Sequence, residues 1–262
     1  MREDGWQPWS PGGRPATPGL APVIGHRGAA ARAPENTLAG LRKAHALGAR
    51  WVEFDVMLTR DGAPVLIHDE TLNRTTSGRG RVPDHDLDQI RALDAGSWFR
   101  PAFAGERVPT LEEAVELLLE LGLNANVEIK PARGHAAATG EVVAGVLAGS
   151  WPEDGPRLLL SSFERQSLAA AHRVAPAIPR GLLAGRLPAD WRAAVMDLAC
   201  TTLHLDHQGV TVPSVEMLAG EGAPLLLYTV NRVARAAELL DAGARAVFTD
   251  VPDTLLAALS PQ

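Results

Sequence analysis

The sequence predicts an α/β fold, a TIM (β/α)8 barrel with a small insertion over its C-terminal mouth. Short apolar runs with the character of β-strands alternate with helical patterns along most of the chain, which is typical of a parallel sheet covered by helices. The 262 residues suit one such barrel, which needs about 250. Polar residues also gather at the ends of the apolar runs, where barrel enzymes carry their functional groups.

The elements follow from residue type and periodicity. Nine runs have the composition of strands: 23–27, 51–56, 64–69, 124–130, 157–162, 179–184, 201–206, 224–230 and 246–250. Helical patterns lie between most of them, for example at 35–47, 111–121, 164–174, 214–220 and 233–241. Thr110 and Glu113 have the spacing of a capping box, which predicts that a helix begins directly after Thr110.

Nine candidate strands compete for eight barrel positions, and one short connection explains the surplus. Only a few residues, including Asp61 and Gly62, separate 51–56 from 64–69. A parallel pair needs a crossover of about a dozen residues or more, so this pair is predicted to be an antiparallel hairpin. A turn centred between Asp61 and Gly62 would place Asp55 opposite His68.

Two segments lack the regular alternation of strands and helices. One precedes the predicted barrel domain of residues 23–262, and the other lies within it. Residues 1–22 contain five prolines, which favours an extended arm that Trp6 and Trp9 either pin to the barrel or leave free. Residues 70–109 lack periodicity, and a segment of this length is unusual in a compact domain. We interpret 70–109 as an insertion covering the barrel mouth.

Net charge, the length of apolar stretches and the number of cysteines limit which partners the protein could bind and in which compartment it could lie. The net charge of −6 argues against a broad nucleic-acid surface. No apolar stretch is long enough for a membrane span, and the first residues do not resemble a signal peptide. Cys200 is the only cysteine, so no intrachain disulfide can form. These features predict a cytoplasmic protein.

Alternation along two strands predicts a cluster of carboxylates. Glu53 and Asp55 point to one face of their strand, and Asn126, Glu128 and Lys130 share a face of another. Like charges inside a barrel are costly unless they are partnered. Three carboxylates would suit a divalent cation, and all-oxygen ligation favours Mg²⁺ or Ca²⁺, with Mn²⁺ also possible. The alternative is that they form structural ion pairs with Lys130 and arginines.

Two histidines and two cations lie beside these carboxylates. His26 and His68 each end a predicted strand, and paired histidines suit a general acid and a general base. Arg27 and Lys130 would bind an anionic group, and the arginine fork matches phosphate oxygens. The alternative for Arg27 is a simple ion pair with Glu35.

The remaining motifs offer less. No Walker-type loop, no dinucleotide-binding glycine pattern and no G-x-S-x-G elbow occurs, which leaves those nucleotide sites and a serine triad unsupported. Four histidines lie in helix or loop contexts and are interpreted as surface residues: His45, His85, His135 and His172. His204 and His207 flank a strand end and are interpreted as structural.

Nine short motifs, in order, resemble the glycerophosphodiester phosphodiesterase family over about residues 22–257. The run Asp94-Ala95-Gly96-Ser97-Trp98 and the signal-free start look most similar to the bacterial cytoplasmic branch of that family. In the first third the nine motifs are His26-Arg27-Gly28, Pro34-Glu35-Asn36-Thr37, Glu53-Phe54-Asp55-Val56, Asp61-Gly62 and His68-Asp69. The rest are Glu128-Ile129-Lys130-Pro131, Leu160-Ser161-Ser162-Phe163, Tyr228-Thr229-Val230-Asn231 and Thr249-Asp250. Each motif is weak alone, but nine in sequence order are specific.

The resemblance implies a barrel with a small insertion after the second histidine. It also implies metal-dependent hydrolysis of a small glycerophosphodiester to an alcohol and sn-glycerol 3-phosphate. The resemblance implies that His26 and His68 are catalytic. It also implies that Glu53, Asp55 and Glu128 bind the metal, and that Arg27 and Lys130 bind the phosphate. Supporting positions are Glu35, Asn36, Phe163 and Tyr228, the last standing where many members have tryptophan.

Three other functions compete with this hypothesis. A barrel phospholipase acting on intact lipids would call for an export signal and an apolar docking loop, and neither is evident. A catalytically inactive binding protein would have lost a histidine or a ligand position, and none is replaced. A sugar isomerase or aldolase barrel fits the fold but leaves the histidine pair unexplained. Direct attack by water and attack by a glycerol hydroxyl, giving a cyclic phosphate, both remain open.

Overall fold

The computed structural model describes residues 8–10 and 19–259, and its centre is a closed barrel of eight parallel strands. The strands are β1 Val23–Gly25, β2 Trp51–Leu58, β3 Pro64–Leu66, β4 Asn124–Ile129, β5 Leu158–Ser162, β6 Arg180–Ala184, β7 Thr202–Asp206, β8 Leu225–Tyr228 and β9 Ala246–Thr249. Strands β1, β2 and β4 to β9 form the barrel, which closes where β9 pairs with β1. The predicted fold class is confirmed.

Helices lie outside the barrel in the gaps between strands. They are α1 Leu38–Ala46, α2 Leu87–Arg91, α3 Leu111–Leu121, α4 Ala136–Ser150, α5 Arg165–Val174, α6 Trp191–Asp197, α7 Val212–Gly220, α8 Val233–Asp241 and α9 Pro252–Leu259. Helix α3 begins where predicted, because Thr110 Oγ1 accepts from Glu113 N at 3.2 Å and Glu113 Oε2 accepts from Thr110 N at 2.9 Å. Within the described residues, no helix has the length and apolar character required to cross a membrane.

Strand β3 lies outside the barrel as the second arm of an antiparallel hairpin with β2. The predicted register is wrong by one residue. Asp55 lies opposite Ile67, whose N–H donates to the Asp55 carbonyl oxygen at 3.1 Å, rather than opposite His68. The turn is centred on Asp61 instead of between Asp61 and Gly62. The register pairs are Val56 with Leu66, Met57 with Val65 and Leu58 with Pro64.

Residues 70–109 lie between β3 and α3 and have a small apolar core of their own. They contain helix α2 and two 3₁₀ turns, Val82–Asp84 and Pro101–Phe103. Their core side chains pack against Met57, Val65 and Ile67 of the hairpin and include Leu72, Val82, Ile90, Ala95 and Val108. The segment is therefore fixed to the β2–β3 hairpin by buried apolar contact.

Trp9 of the N-terminal segment is fixed to the barrel wall. Trp9 is buried, its backbone N–H donates to the Cys200 carbonyl oxygen at 3.0 Å, and its ring centroid lies 5.0 Å from that of Trp191. Of the two expectations for this side chain, the structure shows the pinned one. Trp6 lies outside the described residues.

The inside of the barrel is apolar towards its base. Ile24, Trp51, Leu159, Leu226 and Phe248 belong to one buried cluster. Inward-facing polar side chains replace apolar ones further along the same strands, because alternate residues share a face. The polar groups therefore collect at the carboxyl ends of the strands, where a barrel has its open mouth.

Candidate active site

Three buried carboxylates converge at the mouth of the barrel. Glu53 and Asp55 come from β2, and Glu128 comes from β4. In the parallel register Asp55 pairs with Glu128, and Glu53 pairs with Asn126, so all these side chains point inward together. One carboxylate oxygen from each acid lies within 4.8 Å of the others.

Cationic side chains partner this cluster only in part. Lys130 Nζ lies 3.1 Å from Glu128 Oε1 and 3.5 Å from Asp55 Oδ1, and Arg27 Nε lies 3.3 Å from Asp55 Oδ2. Glu53 makes no ion pair with a lysine or arginine among residues 19–259. The alternative to a metal site was a set of structural ion pairs with Lys130 and arginines. Such pairs account for Asp55 and Glu128 but not for Glu53.

Glu53 is held by the backbone of the loop after β1. Its Oε2 accepts from the Arg27 backbone N–H at 2.9 Å, while its buried Oε1 has no hydrogen-bond partner in the described part of the chain. A buried unpaired carboxylate oxygen is costly. It is the strongest geometric indication that this cluster accommodates a cation.

Electrostatics within the cluster are unequal. Burial raises the pKa of Glu53 well above its ordinary value, and the Asp55 and Glu128 charges add to this. Burial, with the Asp55 charge, raises the pKa of Glu128 to about 7. Burial opposes ionisation of Asp55 as well, but Arg27 and Lys130 lower its pKa to about 2. A bound divalent cation would remove the repulsion, so the donor set fits a hard metal ion.

The loop after β1 places two further groups in uncommon backbone conformations. Asn36 has φ +53° and Arg27 has φ +49°, in the left-handed region that few non-glycine residues adopt. Asn36 Nδ2 donates to Asp55 Oδ2 at 2.8 Å, and Asn36 Oδ1 accepts from Asp55 N at 3.1 Å. Asn36 therefore fixes the orientation of one member of the carboxylate cluster.

Each of the two candidate catalytic histidines is paired with an aspartate. His26 Nδ1 lies 2.7 Å from Asp250 Oδ1, and His68 Nδ1 lies 2.6 Å from Asp69 Oδ1. Such contacts favour the proton on Nδ1 and leave Nε2 for exchange with a ligand. Burial lowers the pKa of His68, which favours its neutral form. Asp250 is itself held by Asn231 Nδ2 at 2.7 Å.

One cavity of about 300 Å³ joins these groups. Its lining includes both histidines, two carboxylates of the cluster, both cations and several apolar side chains: His26, Arg27, Glu53, His68, Asn126, Glu128, Lys130, Phe163, Leu183, His204, Tyr228, Thr229 and Phe248. A volume of this size suits a small ligand. No side chain of residues 70–109, all of which are described, belongs to this lining.

Two aromatic residues form one wall of the cavity. The Phe163 and Tyr228 rings meet edge to face with centroids 5.9 Å apart. Lys130 Nζ lies 5.9 Å from the Phe163 ring centroid, and Tyr228 Oη donates to the Ala184 carbonyl oxygen at 2.9 Å. Phe163 is 43% exposed, so its ring stands at the rim.

The expected pair between Arg27 and Glu35 is also present. Arg27 Nη1 donates to Glu35 Oε1 at 2.7 Å. Glu35 also pairs with Arg74, which donates to both carboxylate oxygens of Glu35 at 2.7 and 2.8 Å. Arg27 faces Asp55 as well, so a structural pair with Glu35 is only part of its environment.

Sequence reasoning missed several of these groups. Asp69 directly follows His68 in the sequence, so this adjacency could have suggested that the two side chains pair. Asp250 stands in the Thr249-Asp250 motif, but its distance in sequence from His26 gave no sign that the two side chains pair. His204, interpreted as structural, is fully buried with Nε2 2.9 Å from Thr202 Oγ1, and it also lines the cavity. Of the four histidines predicted to lie at the surface, His45 and His135 are exposed, whereas His85 and His172 are half-buried.

Known proteins resemble this chain over most of its length. Residues 26–254 match the model of the glycerophosphoryl diester phosphodiesterase family. A glycerophosphodiester phosphodiesterase of Caldanaerobacter subterraneus subsp. tengcongensis is 37% identical over 238 residues, covering 89% of this chain and 96% of the relative. A glycerophosphodiester phosphodiesterase of Bacillus subtilis is 33% identical over 252 residues, covering 88% of this chain and 84% of the relative.

Solved structures agree with the sequence relatives. An Oleispira antarctica phosphodiesterase in complex with the product sn-glycerol-3-phosphate superposes with a TM-score of 0.89 at 39% identity, covering 92% of this chain and 97% of the other. The family resemblance inferred from the motifs is thus confirmed by matches that span the barrel and the site. The chain belongs to the glycerophosphoryl diester phosphodiesterase family and is a phosphoric diester hydrolase of that kind.

Proposed function

We propose that the enzyme cleaves small glycerophosphodiesters to an alcohol and sn-glycerol 3-phosphate in a metal-dependent reaction that uses His26 and His68 as general acid and general base. One observation carries the proposal: two carboxylates of the buried cluster and two aspartate-paired histidines line a single cavity. The structural relative from Oleispira antarctica, which holds sn-glycerol-3-phosphate, supports the choice of product.

Glu53, Asp55 and Glu128 would hold the metal ion. Their oxygen-only donor set favours Mg²⁺ or Ca²⁺, with Mn²⁺ also acceptable. When bound, such an ion would neutralise charge on the phosphodiester and act as a Lewis acid. Asn36 supports the site, because it fixes the Asp55 carboxylate from both its donor and its acceptor side.

Arg27 and Lys130 would bind the anionic phosphate. Both line the cavity, and each lies beside a carboxylate of the cluster rather than in open solvent. Glu35 orients the Arg27 guanidinium through the hydrogen bond to Nη1. A phosphodiester placed between the two cations would meet positive charge on a site that is otherwise acidic.

His26 and His68 would move the protons. Each ring has Nδ1 fixed by an aspartate, so Nε2 is the nitrogen that can accept or donate a proton towards the cavity. One histidine accepts the proton of the nucleophile, and the other donates a proton to the departing alkoxide. The nucleophile is water, or a glycerol hydroxyl that attacks first to give a cyclic phosphate.

Phe163 and Tyr228 would shape the part of the cavity that receives the organic group. Their edge-to-face contact gives a rigid apolar wall beside Lys130. Residues 70–109 are proposed to be an insertion into the barrel domain of residues 23–262. The buried contact of the insertion with the β2–β3 hairpin supports this division.

We also propose a reducing compartment, the cytoplasm, for the enzyme. The single Cys200 is fully buried, and burial raises its thiol pKa to about 12, so it is poorly suited to form a disulfide with another chain. Fractionation of the host cells with an antibody to the enzyme would test this.

A coupled assay for sn-glycerol 3-phosphate tests the main proposal. The purified enzyme is incubated with glycerophosphocholine, glycerophosphoethanolamine and glycerophosphoglycerol in the presence of Mg²⁺, Ca²⁺ or Mn²⁺. Release of sn-glycerol 3-phosphate from at least one diester is expected. Binding of these diesters without turnover would instead favour an inactive binding protein, and turnover confined to intact phospholipids in vesicles would favour a phospholipase.

A further inference from the structure

We propose that Arg74 is a positioning residue that fixes His68 and Arg27 relative to each other, one through Asp69 and the other through Glu35. The inference rests on the proposed function, because it assigns a task to Arg74 in the same reaction. Arg74 belongs to residues 70–109 and does not line the main cavity. Its effect would therefore pass through the two carboxylates.

The contacts of Arg74 form two forks. Towards Asp69, Nε donates to Oδ2 at 2.7 Å and Nη2 donates to Oδ1 at 2.9 Å. Towards Glu35, Nη1 donates to Oε2 at 2.7 Å and Nη2 donates to Oε1 at 2.8 Å. Four hydrogen bonds with near-ideal distances fix the plane of the guanidinium, which a lysine could not reproduce.

Each carboxylate passes this constraint on to a group of the cavity. The Asp69 oxygen that accepts from Nη2 is also 2.6 Å from His68 Nδ1. The Glu35 oxygen that accepts from Nη2 also accepts from Arg27 Nη1 at 2.7 Å. The two arms of the site, from the hairpin and from the loop after β1, are thus joined through one guanidinium.

The turn around Arg74 is also held by contacts that do not involve the Arg74 side chain. Leu72 is fully buried in the core of the insertion, and Thr76 Oγ1 donates to the Leu72 carbonyl oxygen at 2.6 Å. The Arg74 side chain is 43% exposed and that of Asp69 is 28% exposed, whereas that of Glu35 is only 10% exposed. Only the Asp69 fork therefore resembles a surface ion pair, which contributes little to stability. Arg81 is a matched control in the same insertion, since it pairs with Glu70 and its side chain is 48% exposed.

Kinetics of Arg74→Ala separate a positioning role from a structural one. Loss of the Asp69 fork should misorient His68 and lower kcat, and loss of the Glu35 fork should loosen Arg27 and raise KM. Together kcat/KM should fall about 10- to 100-fold, since small displacements at a reacting centre cost about that factor. Arg81→Ala should match the wild type in both constants, and all variants should unfold at similar temperatures.

Double variants then assign each effect to its carboxylate. In an Asp69→Asn background, Arg74→Ala should no longer lower kcat but should still raise KM. In a Glu35→Gln background, it should no longer raise KM but should still lower kcat. Added guanidinium ion should rescue Arg74→Ala saturably, whereas an equal concentration of sodium chloride should not.

Outcomes that overturn the inference are distinct from failure of the proposed function. Wild-type constants for Arg74→Ala, strictly additive double variants, or a loss explained by unfolding would each overturn it. Should the wild type release no sn-glycerol 3-phosphate, the proposed function fails. In that case calorimetry measures the binding of sn-glycerol 3-phosphate, which reports the effect of Arg74 on Arg27 through Glu35. For the inference to stand, Arg74→Ala must weaken this binding at least several-fold more than Arg81→Ala does.

Discussion

Asp250 follows His26 by 224 positions in the sequence, yet its Oδ1 lies 2.7 Å from His26 Nδ1. Closure of the barrel brings them together, because β9 pairs with β1 and the His26 backbone N–H donates to the Thr249 carbonyl oxygen at 2.8 Å. The orientation of His26 thus depends on the last strand of the barrel as well as on the first.

Replacing Asp250 should impair the proton transfer assigned to His26. Asp250→Asn removes the charge that favours the proton on Nδ1, and we expect kcat to fall at least about 10-fold. Asp253→Asn is a matched control, because Asp253 pairs with Arg32 rather than with a histidine. Steady-state kinetics on one glycerophosphodiester measure both, and equal kcat values for the two variants would contradict the assignment.

Removing either histidine should slow turnover strongly. General acid–base assistance is worth about 10²–10⁴-fold, so His26→Ala and His68→Ala should each lose about that factor in kcat. Both should keep the metal site, since the carboxylates remain, and metal content measured by mass spectrometry checks this. The exposed His45→Ala serves as the control. Wild-type rates in either test variant would refute the proposed catalysis.

A nitrophenyl diester separates the two roles. Nitrophenolate departs without protonation, so the variant that lacks the general acid should be rescued selectively on this substrate. The variant that lacks the general base should stay slow. The ratio of rates on the nitrophenyl and alkyl diesters, measured for His26→Ala and His68→Ala, gives the assignment. Equal ratios in the two variants would contradict a division of labour between acid and base.

Acidification should destabilise the fold through His204. Burial lowers the pKa of this histidine to about 3. In the unfolded chain it titrates near its ordinary value of about 6.5, so the unfolded state binds more protons below that pH and stability falls. Between pH 7.5 and 5.5 this loss should be on the order of 1 kcal/mol.

Urea unfolding of the wild type and of His204→Gln tests this effect. The substitution is expected to lower stability at every pH, so the comparison is the change in free energy of unfolding from pH 7.5 to 5.5. That change should be smaller in the variant, by on the order of 1 kcal/mol. Parallel pH dependences would show that His204 does not titrate on unfolding in this range.

Local patterns in the sequence were sufficient for the barrel and for the carboxylate cluster. Alternation in β2 and β4 places Glu53, Asp55 and Glu128 on inward faces, and parallel pairing then brings the two strands into register. The hairpin register was wrong because loop length alone does not fix the centre of a turn. One residue of slip separates Asp55 from its predicted partner.

Groups brought together by closure of the barrel could not be predicted in this way. The pairing of His26 with Asp250 depends on tertiary structure, as does the position of Arg74 between Asp69 and Glu35. Helices α4, α6 and α9 were also not among the helices named from the sequence, and in α4 Ala and Gly interrupt the apolar stripe. These features become visible only when the strands are assembled.

In the proposed reaction, Glu53, Asp55 and Glu128 bind a divalent metal ion that turnover requires. Titration calorimetry of the exhaustively chelated enzyme with Mg²⁺, Ca²⁺ and Mn²⁺, paired with release of sn-glycerol 3-phosphate, tests it most directly. We expect one saturable site, no activity after chelation and restored activity on adding back an ion. Glu53→Gln should weaken binding, whereas Glu112→Gln, on the exposed side of α3, should not. Undiminished activity after exhaustive chelation, or unchanged metal binding by Glu53→Gln, would contradict the claim.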